Sequence, residues 1–127
     1  MIFVLDMDAR LREGINLFND GRFFESHEIL EELYQEIDNA HKPFLEGLIQ
    51  LAAAFRIYSD FGEVRGPVRM IHQALIRFEN YQPSHLEIRV KELSESMEAW
   101  AEEAGAAAGK PLPSIPKIRL QRFSFFT

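Results

Sequence analysis

From Phe44 to Phe55 the chain reads Phe44-Leu45-Glu46-Gly47-Leu48-Ile49-Gln50-Leu51-Ala52-Ala53-Ala54-Phe55, apolar nearly all the way round a helix. A helix of that kind has no broad side suited to water, so other helices must surround it. Its polar interruptions, Glu46 and Gln50, are four residues apart and share one face. The alanine run lets a neighbouring helix approach closely. The segment predicts a central helix that starts near Pro43, a residue suited to a first helical turn, and ends near Ser59.

The flanking segments carry the one-sided patterns such a centre needs. Leu11, Ile15 and Phe18 form a stripe over about Asp8 to Asn19, with Asp8 as N-cap and Asn19-Asp20-Gly21 as the stop. A second helix is expected over about Phe23 to Asp38. A fourth covers about Glu63 to Asn80, with Val64, Val68, Ile71, Leu75 and Phe78 spaced by fours and threes. Pro67 is tolerable there because it falls in the opening turn. After Pro83, Ser84-His85-Leu86-Glu87 reads as a capping box that starts a fifth helix, whose stripe is Leu86, Val90, Leu93, Met97 and Trp100. No segment alternates as a strand would. The fold class expected is all-α: a compact bundle of about five helices arranged as antiparallel helical hairpins with short connections. Gly21 and Gly62 punctuate it 41 residues apart, but a repeat consensus is missing and two units fall below the usual three.

Residues 110–127 depart from this pattern. Pro111, Pro113 and Pro116 favour extended chain. Leu112, Ile115, Ile118, Leu120, Phe123, Phe125 and Phe126 are too apolar for a free linker, so residues 1–109 form the expected bundle domain and 110–127 an extended Pro-rich tail packed on it or on a second subunit. The second case would make the tail the arm of a homo-oligomer. Every Asp and Glu lies at or before Glu103, whereas Lys110, Lys117, Arg119 and Arg122 follow it. With a total charge of −6, the body before the tail carries ten net negative charges. An acidic body repels phosphate backbones, and no nucleic-acid partner is expected. The chain has no cysteine and therefore no thiolate or disulfide chemistry. Its first residues lack a basic region and meet Asp6 after five residues, too short for a signal peptide or a membrane span. No membrane partner is expected, and a cytoplasmic location follows by default.

The polar residues that invite a chemical reading sit on the second helix. At about 100° per residue with His27 at zero, Phe23, Leu30, Tyr34 and Ile37 fall between about −80° and −20°. Glu31 falls near 40° and Glu28 near 100°. On that placement His27 and Glu31 sit on or beside the buried stripe, and a carboxylate there must be paired. One reading is a site: an imidazole and a carboxylate at i and i+4, as helical metal sites have, with Glu28 placed like a general base and further ligands from Glu46, Gln50 or His72. The metal candidates are His27 and Glu31, for a divalent ion. The other reading is a hydrogen-bonded pair pinning helix two to helix three. Two ligands make a thin zinc site, so the structural pair is favoured and no cofactor is expected. His41, in a loop, and His85, at a helix start, are both accounted for by solvent exposure.

The stretch Phe18-Asn19-Asp20-Gly21-Arg22-Phe23-Phe24-Glu25-Ser26-His27-Glu28-Ile29-Leu30-Glu31-Glu32-Leu33-Tyr34 resembles the signature of domain of unknown function family 309, as does Phe44-Leu45-Glu46-Gly47-Leu48-Ile49-Gln50-Leu51-Ala52-Ala53-Ala54. The resemblance covers about residues 10–80. It implies a compact helical bundle and makes His27, Glu28, Glu31 and Gln50 the family-typical polar set. Relatives carry the label of predicted metal-dependent hydrolases. Tyr34 stands where relatives usually have Trp, and Arg56-Ile57 where many carry His or Tyr. Three functions are therefore weighed: a structural or interaction module, a metal-dependent hydrolase using His27, Glu28 and Glu31, and a small-ligand binder between helices two and three. The first is favoured, because internal pairing can satisfy the polar cluster.

Overall fold

The computed structural model describes residues 7–107 and 109–121. Among these, five α-helices follow one another with no strand: α1 (Ala9–Asn19), α2 (Phe23–Glu36), α3 (Lys42–Phe61), α4 (Arg65–Phe78) and α5 (Val90–Gly105). Single 3-10 turns at Asn39–His41 and Glu79–Tyr81 fill two of the connections. Each helix packs against its sequence neighbour, as short connections require.

The punctuation works as its chemistry dictates. The Asp8 side chain accepts from the Arg10 N–H at 2.8 Å and caps α1. At the other end Gly21 takes φ 80°, and Gly21 N–H and Arg22 N–H donate back to Phe18 O and Leu17 O at 3.0 and 2.9 Å. Gly62, at φ 69°, closes α3 in the same left-handed conformation, its N–H reaching Tyr58 O. α3 is the centre: Phe44, Leu45, Leu48, Leu51, Ala52, Ala54 and Phe55 are all fully buried. Around it Phe18, Phe23 and Phe55 pack with ring centroids 5.1–5.8 Å apart, and Trp100 of α5 meets Phe55 edge-on at 4.9 Å. Two glycines set helix spacings. A Cβ on Gly47 would stand 2.5 Å from Cε1 of buried Phe78, and one on Gly14 2.5 Å from Leu30 Cδ2.

The fifth helix starts later than the capping box suggests. Ser84 and Glu87 do not cap a helix: His85 and Ile88 pair as a bridge around a tight turn, with Leu86 at φ 47° and Glu87 at φ 66°. α5 begins only at Val90. The reason is long-range. Ile88 also pairs with Leu120, Arg89 N–H donates to Arg119 O at 3.0 Å, and Gln121 N–H donates to Glu87 O at 2.7 Å, so the turn is held extended by the chain's own tail. The rest of the described tail lies along the same bundle. Ile118 is 3% exposed, its N–H and C=O both bonded to the Asn19 side chain, and Trp100 Nε1–H donates to Pro113 O at 3.1 Å. Phe123, Phe125 and Phe126 lie outside the described residues.

Candidate functional site

The buried side of α2 consists of Phe23, Ser26, Leu30 and Leu33. On the wheel used above, Ser26 and Leu33 fall near −100° and −120°, which centres the buried stripe at about −80°. Glu31 then lies about 120° from that centre and Glu28 about 180°, so both face water. His27 is half-buried. Its Nε2 stands 3.6 Å from Glu31 Oε1, with side chains 31% and 54% exposed, which is a loose surface pair and too long for a hydrogen bond. The expectation of a partly buried His27–Glu31 pair is thus corrected: leaving Leu33 and Ser26 out of the stripe rotates its apparent centre toward Glu31. The polar residue that α2 does bury is Ser26, whose hydroxyl donates to Gly14 O of α1 at 2.7 Å.

Glu46 and Gln50 are brought together, but toward α4 and not toward the His27 side. Arg77 Nη1 meets Glu46 Oε2 at 2.7 Å, and Arg77 Nε–H donates to Gln50 Oε1 at 3.0 Å. The Tyr34 hydroxyl donates to the other Glu46 oxygen at 2.8 Å, and the Gln50 amide to Gln73 Oε1 at 3.1 Å. The hydrogen bond to the Glu46 carboxylate, with burial and the carboxylate's charge adding to it, raises the pKa of Tyr34 and keeps its proton in place. The Arg77 guanidinium fork thereby ties α4 to α3, and the Tyr34 hydroxyl joins α2 to the same Glu46 carboxylate. Arg77 was not among the sequence candidates. The signal for it was available, since α4 must lie against α3 and Arg77 follows Gln73 by one turn. His72 is exposed on α4.

His41 and His85 are half-buried and touch, contrary to the expectation that both are simply solvated. His41 Nδ1 and His85 Nε2 are 2.9 Å apart. The His85 ring packs against Tyr81 and Phe44, with centroids 4.5 and 5.0 Å away. Burial first, and the nearby charge of His41 second, depress the pKa of His85.

The geometry offers little to a hydrolytic metal centre on α2. His27 and Glu31 supply two donors, and Glu28 faces away from the stripe on which they border. Among the described residues no three His, Asp or Glu side chains are grouped closely enough to hold a metal ion together. Nor is a pocket between α2 and α3 what stands out. A cleft of about 590 Å³ lies between the start of α4, the end of α5 and the tail, lined by Val64, Val68, Ala104 and Leu112 with Arg65 and Lys110 among its polar residues. A second, of about 340 Å³, lies where the tail crosses the α1–α2 turn. Among the described residues no helix is long and apolar enough to cross a membrane.

Residues 11–70 match the family model described as a domain of unknown function, DUF309. That span runs from Leu11 of α1 to Met70 of α4 and so takes in His27, Glu28, Glu31, Glu46 and Gln50, whereas Arg77, His85, α5 and the tail lie beyond it. No curated protein matches the chain.

Proposed function

We propose that this chain, whose residues 11–70 belong to the DUF309 family, acts as a structural or interaction module and performs no chemistry through its His27-Glu28-Ile29-Leu30-Glu31 motif. The observation that carries this reading is the fate of the candidate polar residues. Glu46 and Gln50 spend their hydrogen-bonding capacity on Tyr34, Arg77 and Gln73, in a half-exposed seam between helices. His27, Glu28 and Glu31 spread over a solvated face, and among the described residues no group of three donors closes there. A catalytic set needs its groups aimed at one reacting atom, and these diverge.

Among the described residues the surface also presents three large apolar side chains: Phe61 and Ile76 are 78% and 65% exposed, and Phe24 is partly exposed beneath the Arg56 guanidinium, 4.3 Å from its ring. Covering each of them with a protein partner would remove its apolar area from water. The acidic body disfavours nucleic acid as that partner.

The test is a comparison of two variants in native affinity capture with cross-linking. Replacing His27, Glu28 and Glu31 together by Ala should leave the set of cross-linked partners unchanged, whereas Phe61→Asp with Ile76→Asp should deplete it. Turnover of model esters, amides or phosphoesters that disappears with His27→Ala would instead establish the hydrolase reading.

A further inference from the structure

We propose that the contact between His41 and His85 is a pH-sensitive latch: protonation of both rings opens the turn at residues 85–88 and frees the end of the tail paired with it. The latch is the hydrogen bond of 2.9 Å between His41 Nδ1 and His85 Nε2. Such a bond needs an N–H on one ring and a lone pair on the other. One neutral ring is enough to keep it. Two imidazolium rings have donors only, and their charges repel.

The turn behind the latch is strained. His85 N–H donates to Ile88 O at 3.0 Å and Ile88 N–H to His85 O at 2.8 Å, around Leu86 at φ 47° and Glu87 at φ 66°. Two successive left-handed residues, neither of them glycine, cost free energy and persist only where surrounding contacts impose them. On one side His85 is held by His41 and by packing on Phe44 and Tyr81. On the other, Glu87 O accepts from Gln121 N–H at 2.7 Å. Loss of the first hold therefore favours relaxation of the turn and loss of the second. The opening has a limit: Ile88 is fully buried, Arg89 N–H is bonded to Arg119 O, and Asn19 holds Ile118 by two hydrogen bonds. It is confined to residues 84–87 and to Leu120 and Gln121.

The charged groups nearby leave this role to the imidazoles. The side chains packed on the His85 ring are His41 from the first 3-10 turn, Phe44 from α3 and Tyr81 from the second 3-10 turn. Of these residue types only histidine ordinarily changes charge between pH 5 and 8. Lys42 has its ammonium 4.8 Å over the Tyr34 ring, and the Tyr81 hydroxyl donates to Ala40 O. Around the turn stand Glu87 and Lys91, while Arg89 and Arg119 each meet Glu92 at 3.3 Å. The ordinary carboxylate range lies near pH 4, below the window in which imidazoles take up protons. Burial first, and the charge of His41 second, disfavour the charged form of His85. The pair thus keeps its bond after one added proton and loses it with the second, which arrives below the ordinary imidazole value near 6.5.

The experiment is amide exchange by nuclear magnetic resonance on the full chain, read as protection factors at pH 7.5 and pH 5. Ile88 and Gln121 should lose protection at least fivefold on acidification, while Ile118 changes less than twofold. In His41→Gln and in His85→Gln the Ile88 and Gln121 factors should stay within twofold between the two pH values. Unchanged protection in the unsubstituted chain, an equal loss at Ile118, or the same fivefold loss in either variant would overturn the proposal. Should a variant unfold, the imidazole resonances of the unsubstituted chain decide. Loss of Ile88 protection that follows the titration of His85 supports the latch, and loss that follows His27 or His72 instead sinks it.

Discussion

Two sets of polar side chains sit within three turns of one another's helices and behave in opposite ways. On α2, His27, Glu28 and Glu31 follow helical spacing and yet are joined only by a loose 3.6 Å approach on an exposed face. Between α2, α3 and α4, residues drawn from three helices, Tyr34, Glu46, Gln50 and Arg77, close into a set of contacts of 2.7–3.0 Å. The difference lies in what stands opposite. Spacing on one helix fixes which side chains share a face, but only a partner across the interface decides whether that face is sealed. Arg77 supplies a planar fork with several donors, whereas among the described residues the one ion pair of His27 is the loose contact with Glu31.

The comparison can be broken most sharply at the close approach that brings α4 onto α3. Gly47→Ala improves helix propensity by about 1 kcal/mol, yet its Cβ would stand 2.5 Å from the buried Phe78 ring. The expected outcome in chemical denaturation is a net loss of roughly 1–3 kcal/mol, with the Glu46–Arg77 contact strained as α4 is pushed outward. A neutral or stabilising result would mean that α4 has slack and that the clamp does not set its position.

Truncation after Gly109 removes the strand-like cover over Trp100, Asn19 and the 85–88 turn, and should cost about 1–2 kcal/mol, or roughly 4–8 °C in melting temperature. The effect should appear on the α5 side and leave the α2–α4 contacts intact, which amide hydrogen exchange reads directly. Equal loss of protection at Tyr34 and Glu46 would show the two ends of the bundle to be one cooperative unit.

Smaller again, Arg77→Met keeps the aliphatic stem and removes the fork. The partners are more than a third exposed, so the loss should be about 0.5–1 kcal/mol. It should shrink in 1 M salt, where the screening length is about 3 Å. The paired histidines provide a test by pH. His85 has its pKa lowered in the folded chain, so the unfolded chain binds more protons as the solution is acidified. The stability it supplies is complete above the unfolded value near 6.5 and is lost as pH falls through the lower folded one. His85→Gln should flatten that part of the stability–pH curve, and an unchanged slope would contradict the assignment.

How far the sequence reveals this molecule depends on the range of the contact involved. Asp8, Gly21, Pro43 and Gly62 act on their own helix ends, and the limits of α1 to α4 follow from them to within a few residues. Ser84 to Glu87 has the composition of a capping box, but Leu120 and Gln121, more than thirty residues on, hold it as a turn instead. The site follows the same rule. His27 and Glu31 are legible as i and i+4 neighbours, but their exposure depends on Leu33 and Ser26, small shifts in a wheel whose centre the apolar residues alone define poorly. His41 with His85 is a pair formed across elements that no local pattern announces, whereas the spacing of Gln73 and Arg77 on α4 marks a face for Glu46 and Gln50 without fixing the pairing.

The claim that interface partners, and not motif spacing, decide which polar set couples the helices is tested most directly by two double-mutant cycles in urea at pH 7 and low salt. One combines Glu46→Gln with Arg77→Met, and the other combines His27→Gln with Glu31→Gln. Coupling of about 0.5–1 kcal/mol is expected in the first and none beyond error in the second, where Glu31→Gln alone should change stability by less than about 0.5 kcal/mol. A larger coupling between His27 and Glu31 than between Glu46 and Arg77 would contradict the account.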